Sequence, residues 1–294
     1  DMGQGNATAF VQITGQILCQ ENTAIELIQP DTDRTLPSGS SSASRTTYTY
    51  GNALIQACEE LRHRLTGRAA LLLLADTAQD MELLPGRVRH LASGREVSLK
   101  QIASAMGEQE RVCIRQFIMP VVRDVPDTGK EFALGFPHLL FSFAAHLACV
   151  EVAELTGAVE VKEYLAATEA GRVINPQSFE QQVQGAVAQG IGYALSERIV
   201  VQEGRIMNPN FDTYIIPTAH DVPETTSVPV EAHEPSGPYG MKGVGEVGAN
   251  GPLPAIANAL RDGCGIHPVR SPLTAEYVMG CLPQSGPPTV PEGR

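Results

Sequence analysis

Residues Pro238–Pro254 read PYGMKGVGEVGANGPLP, and five glycines there (Gly240, Gly243, Gly245, Gly248, Gly251) surround one carboxylate, Glu246. Glycine loses more backbone freedom on ordering than any other residue, so it weakens helix and strand alike. Such a run makes a loop whose backbone passes close to something or takes φ > 0 repeatedly. Leu253–Leu260 (LPAIANAL) then turns helical. The loop therefore carries an acid toward a helix start, where free N–H groups can meet an anion. That is the layout of a site. A plainer reading stands beside it, because Glu246 is also one of 33 acidic residues and spacing alone does not separate the two.

Composition bounds what such a site can serve. A chain of 294 residues with 43% hydrophobic content can bury a sizeable core, as one large domain or two ordinary ones. The net charge of −12 argues against nucleic acid, since no basic stripe is present to neutralise phosphates. It argues in the same direction, more weakly, against an anionic membrane surface. The longest apolar run, Ala69–Ala75, falls far short of the roughly 20 residues of a membrane span. The first residues, DMGQGNATAF, have neither a basic n-region nor an apolar h-region, and the expected location is cytoplasmic. With no Met at position 1, the chain is read as processed or as a piece of something longer. Six cysteines (Cys19, Cys58, Cys113, Cys149, Cys264, Cys281) show no C-x-x-C spacing. Buried free thiols are expected, rather than disulfides, a structural zinc or an iron–sulfur cluster.

Periodicity lays out the rest. Asn6–Cys19 has Phe10, Ile13 and Ile17 at helical spacing, and Ala24–Ile28 reads as a short strand. Asp31–Ser44 is a polar loop, and Thr46–Leu65 an amphipathic helix with Ala53, Ile55, Cys58, Leu61 and Leu65 inward. Met81–Leu91 reads as a strand, Val97–Met106 as a helix opened by Ser98, and Arg111–Val122 as strand-like before a loop at Asp124–Lys130. Phe143–Leu155 and Ala158–Thr168 form a hairpin turned at Thr156-Gly157. Gln177–Glu197 is a helix with Val183, Val187, Ile191 and Leu195 on one face. A strand at Ile199–Gln202 turns at Glu203-Gly204, and helices near Leu253–Asp262 and Leu273–Cys281 close the fold. This irregular alternation predicts α+β, mixed sheets with packed helices, rather than a doubly wound sheet. Residues 1–282 are expected to fold as one domain or two subdomains, with 283–294 an unpacked proline-rich tail.

The tract Ser38–Ser44 (SGSSSAS) has the composition of a flexible linker, yet it runs straight into a helix. There its hydroxyls and the helix N–H groups suit an anion, and the ordered reading is preferred. The seven histidines are scattered, and none is assigned a role.

Several segments, taken in order, resemble the molybdenum hydroxylases, the family of xanthine dehydrogenase and aldehyde oxidase. They are MGQG within Asp1–Gly5, DTD at Asp31–Asp33, SSASRT at Ser41–Thr46 and LTGAVEV at Leu155–Val161. After them come GRVINP at Gly171–Pro176, QVQGAVAQGIGYAL at Gln182–Leu195, FDTYIIPT at Phe211–Thr218 and GMKGVGE at Gly240–Glu246. Nearly the whole chain is covered except roughly residues 67–127. The match is to the C-terminal half of the family's molybdopterin-binding region. The chain departs from the family pattern at Glu169, where Asp is usual, and at Leu18-Cys19, where Leu-Gly is usual.

The resemblance implies a molybdenum–molybdopterin cofactor in its cytosine dinucleotide form. Met2, Gly3, Gln4, Ser41, Ser42, Ala43, Ser44, Gln182, Lys242 and Val244 would contact it. The pterin would hold the metal, so no protein ligand to the metal is expected. It implies hydroxylation of an aldehyde or N-heterocycle carbon with oxygen drawn from water, Glu246 acting as general base. FAD and 2Fe-2S iron–sulfur clusters would sit on partner chains. The N-terminal half of the domain would come from a separate subunit, as in nicotinate dehydrogenase, or from the same longer polypeptide. Gln182 and Lys242 have plainer readings as solvated surface residues. Two other classes of function stay open: a non-catalytic scaffold subunit, which has no need of the intact GVGE, and a binding protein for an anionic metabolite.

Overall fold

The computed structural model describes residues 1–28, 30–119 and 140–283. The chain forms two units that each draw on three separate segments. The first comprises Asp1–Phe141, Ala170–Ser178 and Glu231–Gly243, and the second Ser142–Glu169, Phe179–Val230 and Val244–Arg294. The loop expected at Asp124–Lys130 and the tail beyond Pro283 lie outside the described residues.

The first unit is organised around two helices, α1 (Asn6–Leu18) and α2 (Thr46–Leu73). Ile13 and Ile17 of α1 pack with Cys58 of α2 and with Met241, while Phe10, Leu54, Ile55, Ile174 and Tyr239 close over them. Helix α2 runs past the expected end at Leu65 to Leu73. Its last turns bury Ala69, Ala70 and Leu73 against a small sheet and the helix behind it, and that burial outweighs the weak stop signal at Thr66-Gly67. The sheet is antiparallel, β1 (Met81–Leu84), β2 (Arg87–His90) and β3 (Glu96–Ser98) in that order. The single strand expected over Met81–Leu91 is thus a hairpin, because Pro85-Gly86 turns the chain with Gly86 at φ 72°. Ser98 opens α3 (Leu99–Ser104) through a reciprocal capping box with Gln101.

Two expected strands do not form over the described residues. Asn22–Ala24 is a single 3-10 turn, and the residues up to Ile28 pair with nothing in a ladder among the described residues. Residues 112–119 also form no strand. Arg64 holds that segment instead, its Nη1 donating to the carbonyls of Gln109, Glu110 and Val112 at 3.1–3.2 Å.

In the second unit β4 (Phe143–Val152) and β5 (Val159–Glu169) form the expected hairpin, with Gly157 at φ 73°. A strand the sequence reading missed, β8 (Thr225–Pro229), adds parallel to β5, so the sheet order is β4-β5-β8. Helix α4 (Pro176–Leu195) buries Val183, Val187 and Ile191, the expected face. Next comes a two-residue hairpin of β6 (Val201–Gln202) and β7 (Arg205–Ile206), with Glu203 and Gly204 both at positive φ. Helix α5 (Pro252–Cys264) opens with proline at its first position, ends on Gly265 in the left-handed region, and packs on β4. Helix α6 (Ala275–Cys281) is capped by Thr274 and lies against the Gly157 turn, where a Cβ would overlap it. Helices packed on mixed sheets are the α+β architecture expected.

All six cysteines are free, but only Cys58 is buried, and burial pushes its thiol up. Cys149 is exposed because strand alternation puts it on the outer face of β4 with Leu147. Among the described residues no helix is long and apolar enough to cross a membrane.

Candidate functional site

Three loops and helix α4 carry the residues singled out in the sequence, and each loop ends at or against a helix. In the first unit Asp1–Gly5 leads into α1. Met2 is exposed, and Gly3 has φ 110° with open space where a side chain would go. Gln4 turns back on its own loop, its Oε1 accepting from the Met2 N–H at 2.6 Å. The Asp1 carboxylate accepts from the N–H groups of Gly3 (2.8 Å), Gly5 (3.3 Å) and Ala7 (2.8 Å). The start of α1 therefore already holds a carboxylate of this chain.

The serine tract before α2 is an ordered, hydrogen-bonded loop. Tyr50 donates its hydroxyl to the Gly39 carbonyl at 2.5 Å. The hydroxyls of Ser41 and Thr46 lie 2.7 Å apart, and those of Ser40 and Ser42 3.0 Å apart. Ala43 and Ser44 take φ 54° and 51°, and Arg45 then returns to the right-handed region at φ −95°. Successive residues of opposite hand turn N–H groups toward one side, a concavity that suits an anion, while the Arg45 N–H donates within the loop to the Ser42 carbonyl at 3.3 Å. Arg45, the residue before α2, places no side-chain cap on its first turn. Ser41, Ser42 and Ala43 are exposed, so this loop presents hydroxyls, backbone donors and the Arg45 cation. Arg45 was not among the sequence candidates, although its place between the serines and the first residue of α2 was the signal.

The glycine-rich loop begins against that tract. Gly243 lies so close to Ser44 that a Cβ would overlap its carbonyl oxygen. Lys242 donates its backbone N–H to Ala170 (2.9 Å) and its Nζ to the Phe141 carbonyl (2.6 Å). It is half-buried and anchors backbone, which the plain surface reading did not foresee. Gly171 lies against the turn at Gly240, held by the Arg172 N–H to Gly240 carbonyl bond at 2.7 Å.

In the second unit Val244 is half-buried and Glu246 is exposed. This chain's described residues alone therefore do not wall Glu246 into a water-poor pocket. A turn follows, with the Ala249 N–H donating to the Glu246 carbonyl at 3.0 Å. Gly248 presses on α4, where a Cβ would come within 2.8 Å of the Ala186 Cβ. Gln182 is half-buried on the same helix, one residue before the buried Val183. Gly251 presses on the ring of His146 from β4, and Pro252 then packs against Gly190 of α4. The imidazole Nδ1 of His146 lies 2.8 Å from the Tyr164 hydroxyl. Burial lowers the His146 pKa and raises that of Tyr164. Sequence reasoning assigned His146 no role. Its only signal was being in phase with Ala148 and Val150 on the covered face of β4. Among the described residues no group of three or more His, Cys, Asp or Glu side chains could hold a metal ion.

Residues 1–223 match the family described as the molybdopterin cofactor-binding domain. The gamma subunit of the 6-hydroxypseudooxynicotine dehydrogenase complex of Paenarthrobacter nicotinovorans is 30% identical over 282 residues, 94% of this chain and 34% of that protein. A probable xanthine dehydrogenase subunit of Bacillus subtilis is 30% identical over 289 residues, 97% of this chain and 37% of that one. The structure of quinoline 2-oxidoreductase from Pseudomonas putida superposes with a TM-score of 0.77 at 23% identity, over 96% of this chain and 35% of that one, a likeness of fold. The chain spans about a third of the length of these relatives.

Proposed function

The chain belongs to the molybdopterin cofactor-binding domain family, and on that premise we propose that it is the C-terminal part of the catalytic unit of a molybdenum hydroxylase. The reaction we infer is hydroxylation of an aldehyde or N-heterocycle carbon with oxygen from water. When bound, the molybdenum–molybdopterin supplies the redox centre that takes up the two electrons of that oxidation.

The residues present suit such a group. A dinucleotide form of the cofactor, which we take to be the cytosine dinucleotide, carries phosphates. The Ser41–Ser44 loop offers hydroxyls, a concave run of N–H groups and Arg45 to match them. Gln4 and Gln182 bring amides that both donate and accept, as a pterin edge requires. Met2, Gly3, Lys242 and Val244 line the same chain segments and complete the proposed contacts. The remaining part of the domain, the 2Fe-2S iron–sulfur clusters and FAD would come from other chains or from further polypeptide. The six free thiols fit a reducing compartment, the cytoplasm.

One observation carries the catalytic part of this reading. Glu246 stands exposed at the head of a turn that Gly248 seats on α4. A carboxylate so presented can accept a proton from an attacking oxygen as general base. Glu246→Gln keeps size and hydrogen bonding but removes that basicity. In the purified complex we expect reduction by substrate to slow by about 10²–10⁴-fold with molybdenum content unchanged. Reduction at the wild-type rate removes Glu246 from the mechanism. Native complex without molybdenum overturns the cofactor assignment itself.

A further inference from the structure

The loop bearing Glu246 meets, at Gly251, a side chain from outside the glycine-rich segment and α4. We propose that His146, held by Tyr164, is a positioning residue that sets where this loop enters α5 and so where Glu246 stands. The inference rests on the reading of Glu246 as the base.

The loop from Gly245 to Pro252 has little side-chain substance of its own. Glycine leaves its backbone many conformations, so contacts from elsewhere must select one. Two contacts go to α4, from Gly248 and from Pro252. A further one is the imidazole of His146 against Gly251, so close that no Cβ would fit. His146 sits on β4 opposite Ala166 of β5, and Tyr164 lies two residues before Ala166 on that strand. The Tyr164 hydroxyl at 2.8 Å from Nδ1 fixes the ring angle, and the two rings meet edge to face with centroids 5.7 Å apart. Tyr164 is itself fixed, being 2% exposed. Nε2 of His146 is buried with no hydrogen-bond partner among the described residues. An unpaired buried nitrogen costs stability, so hydrogen bonding alone does not account for the ring. Packing against Gly251 does.

The relay is therefore sheet to ring to loop: β5 holds Tyr164, Tyr164 holds His146, and His146 seats Gly251 five residues after Glu246. A displacement of about 1 Å in a reacting group can cost on the order of 10²-fold in rate. His146 touches no reacting atom in this account and acts only through the loop.

Two measurements on the purified holo-complex test it. The first is hydrogen–deuterium exchange over residues 245–251. We expect His146→Ala to speed exchange there, and Tyr164→Phe and His146→Phe, which each keep a ring against Gly251 but lose the hydroxyl–imidazole bond, to speed it less. The second is the rate of cofactor reduction, with an aldehyde, hypoxanthine and quinoline as probe substrates. His146→Ala should slow it about 10–100-fold at unchanged molybdenum content, with His146→Phe within about threefold of wild type. Adding His146→Ala to Glu246→Gln should cost nothing further, since both act through one carboxylate. Unchanged exchange in His146→Ala, or a His146→Phe variant as slow as His146→Ala, overturns the inference. So does a penalty that multiplies fully onto Glu246→Gln. A silent Glu246→Gln variant instead overturns the reading of the base and this inference with it.

Discussion

Gly243 lies against the carbonyl oxygen of Ser44, with no room between them for a Cβ. Two segments some 200 residues apart in sequence thereby share one backbone contact, the serine loop on one side and the glycine-rich loop on the other. Ser44 takes φ 51°, and at position 243 a residue larger than glycine would overlap its carbonyl oxygen.

Replacing Gly243 with alanine should therefore move one loop or the other. Overpacking against backbone typically costs about 1–3 kcal/mol. We expect a lower thermal midpoint and a loss of bound molybdenum, read by metal analysis of the purified complex. Full metal content with an unchanged midpoint would mean that the contact does not shape the proposed cofactor loop.

Gln182→Ala tests the amide on α4. Gln182 is half-buried and its neighbour Val183 is in the core, so truncation leaves the helix seated. Each hydrogen bond lost to the pterin would be worth roughly 0.5–1.5 kcal/mol. Molybdenum occupancy should fall after dilution or dialysis while the thermal midpoint of cofactor-free protein stays put. Undiminished retention assigns Gln182 to the surface.

Stability should carry a signature of His146. Its folded pKa lies below the ordinary 6.5 because burial disfavours the charged ring. Above pH 6.5 neither state is protonated and the residue contributes no pH dependence. As pH falls below 6.5 the unfolded chain takes up a proton that the folded chain refuses, so stability declines until pH passes the lowered folded value. The Tyr164 hydroxyl, raised by its own burial, stays protonated throughout and adds nothing. His146→Phe should flatten this limb in urea midpoints measured between pH 7 and 5. An identical slope in both proteins would contradict the burial argument.

Expressed by itself, the chain should associate or aggregate. Phe143 and Leu147 on the outer face of β4 are each 67% exposed, and Phe211 is 81% exposed. Apolar surface of this kind marks contact with further protein. Strong binding of a hydrophobic dye and early elution on size exclusion are expected. A monodisperse, dye-silent isolated chain would count against a covered face.

Local sequence was enough to determine those elements that local chemistry dictates. The β4–β5 hairpin needed only alternation and a glycine at the turn, and Gly157 supplied the positive φ. Helices α1, α4 and α5 needed only a 3.6-residue apolar period and, for α5, a starting proline. The glycine-rich stretch around Glu246 announced close backbone approach before any partner was known. Tertiary structure decided the rest, because those outcomes depend on residues far away in sequence. Strand β8 exists only because β5, some 60 residues earlier, offers it a parallel edge. The segments at 24–28 and 112–119 have strand-like composition but no such edge among the described residues. Composition showed that Gly243 and Gly251 need space, whereas only the fold showed that Ser44 and His146 fill it. A glycine records that something comes near, and the identity of that neighbour is a property of packing, which no local pattern encodes.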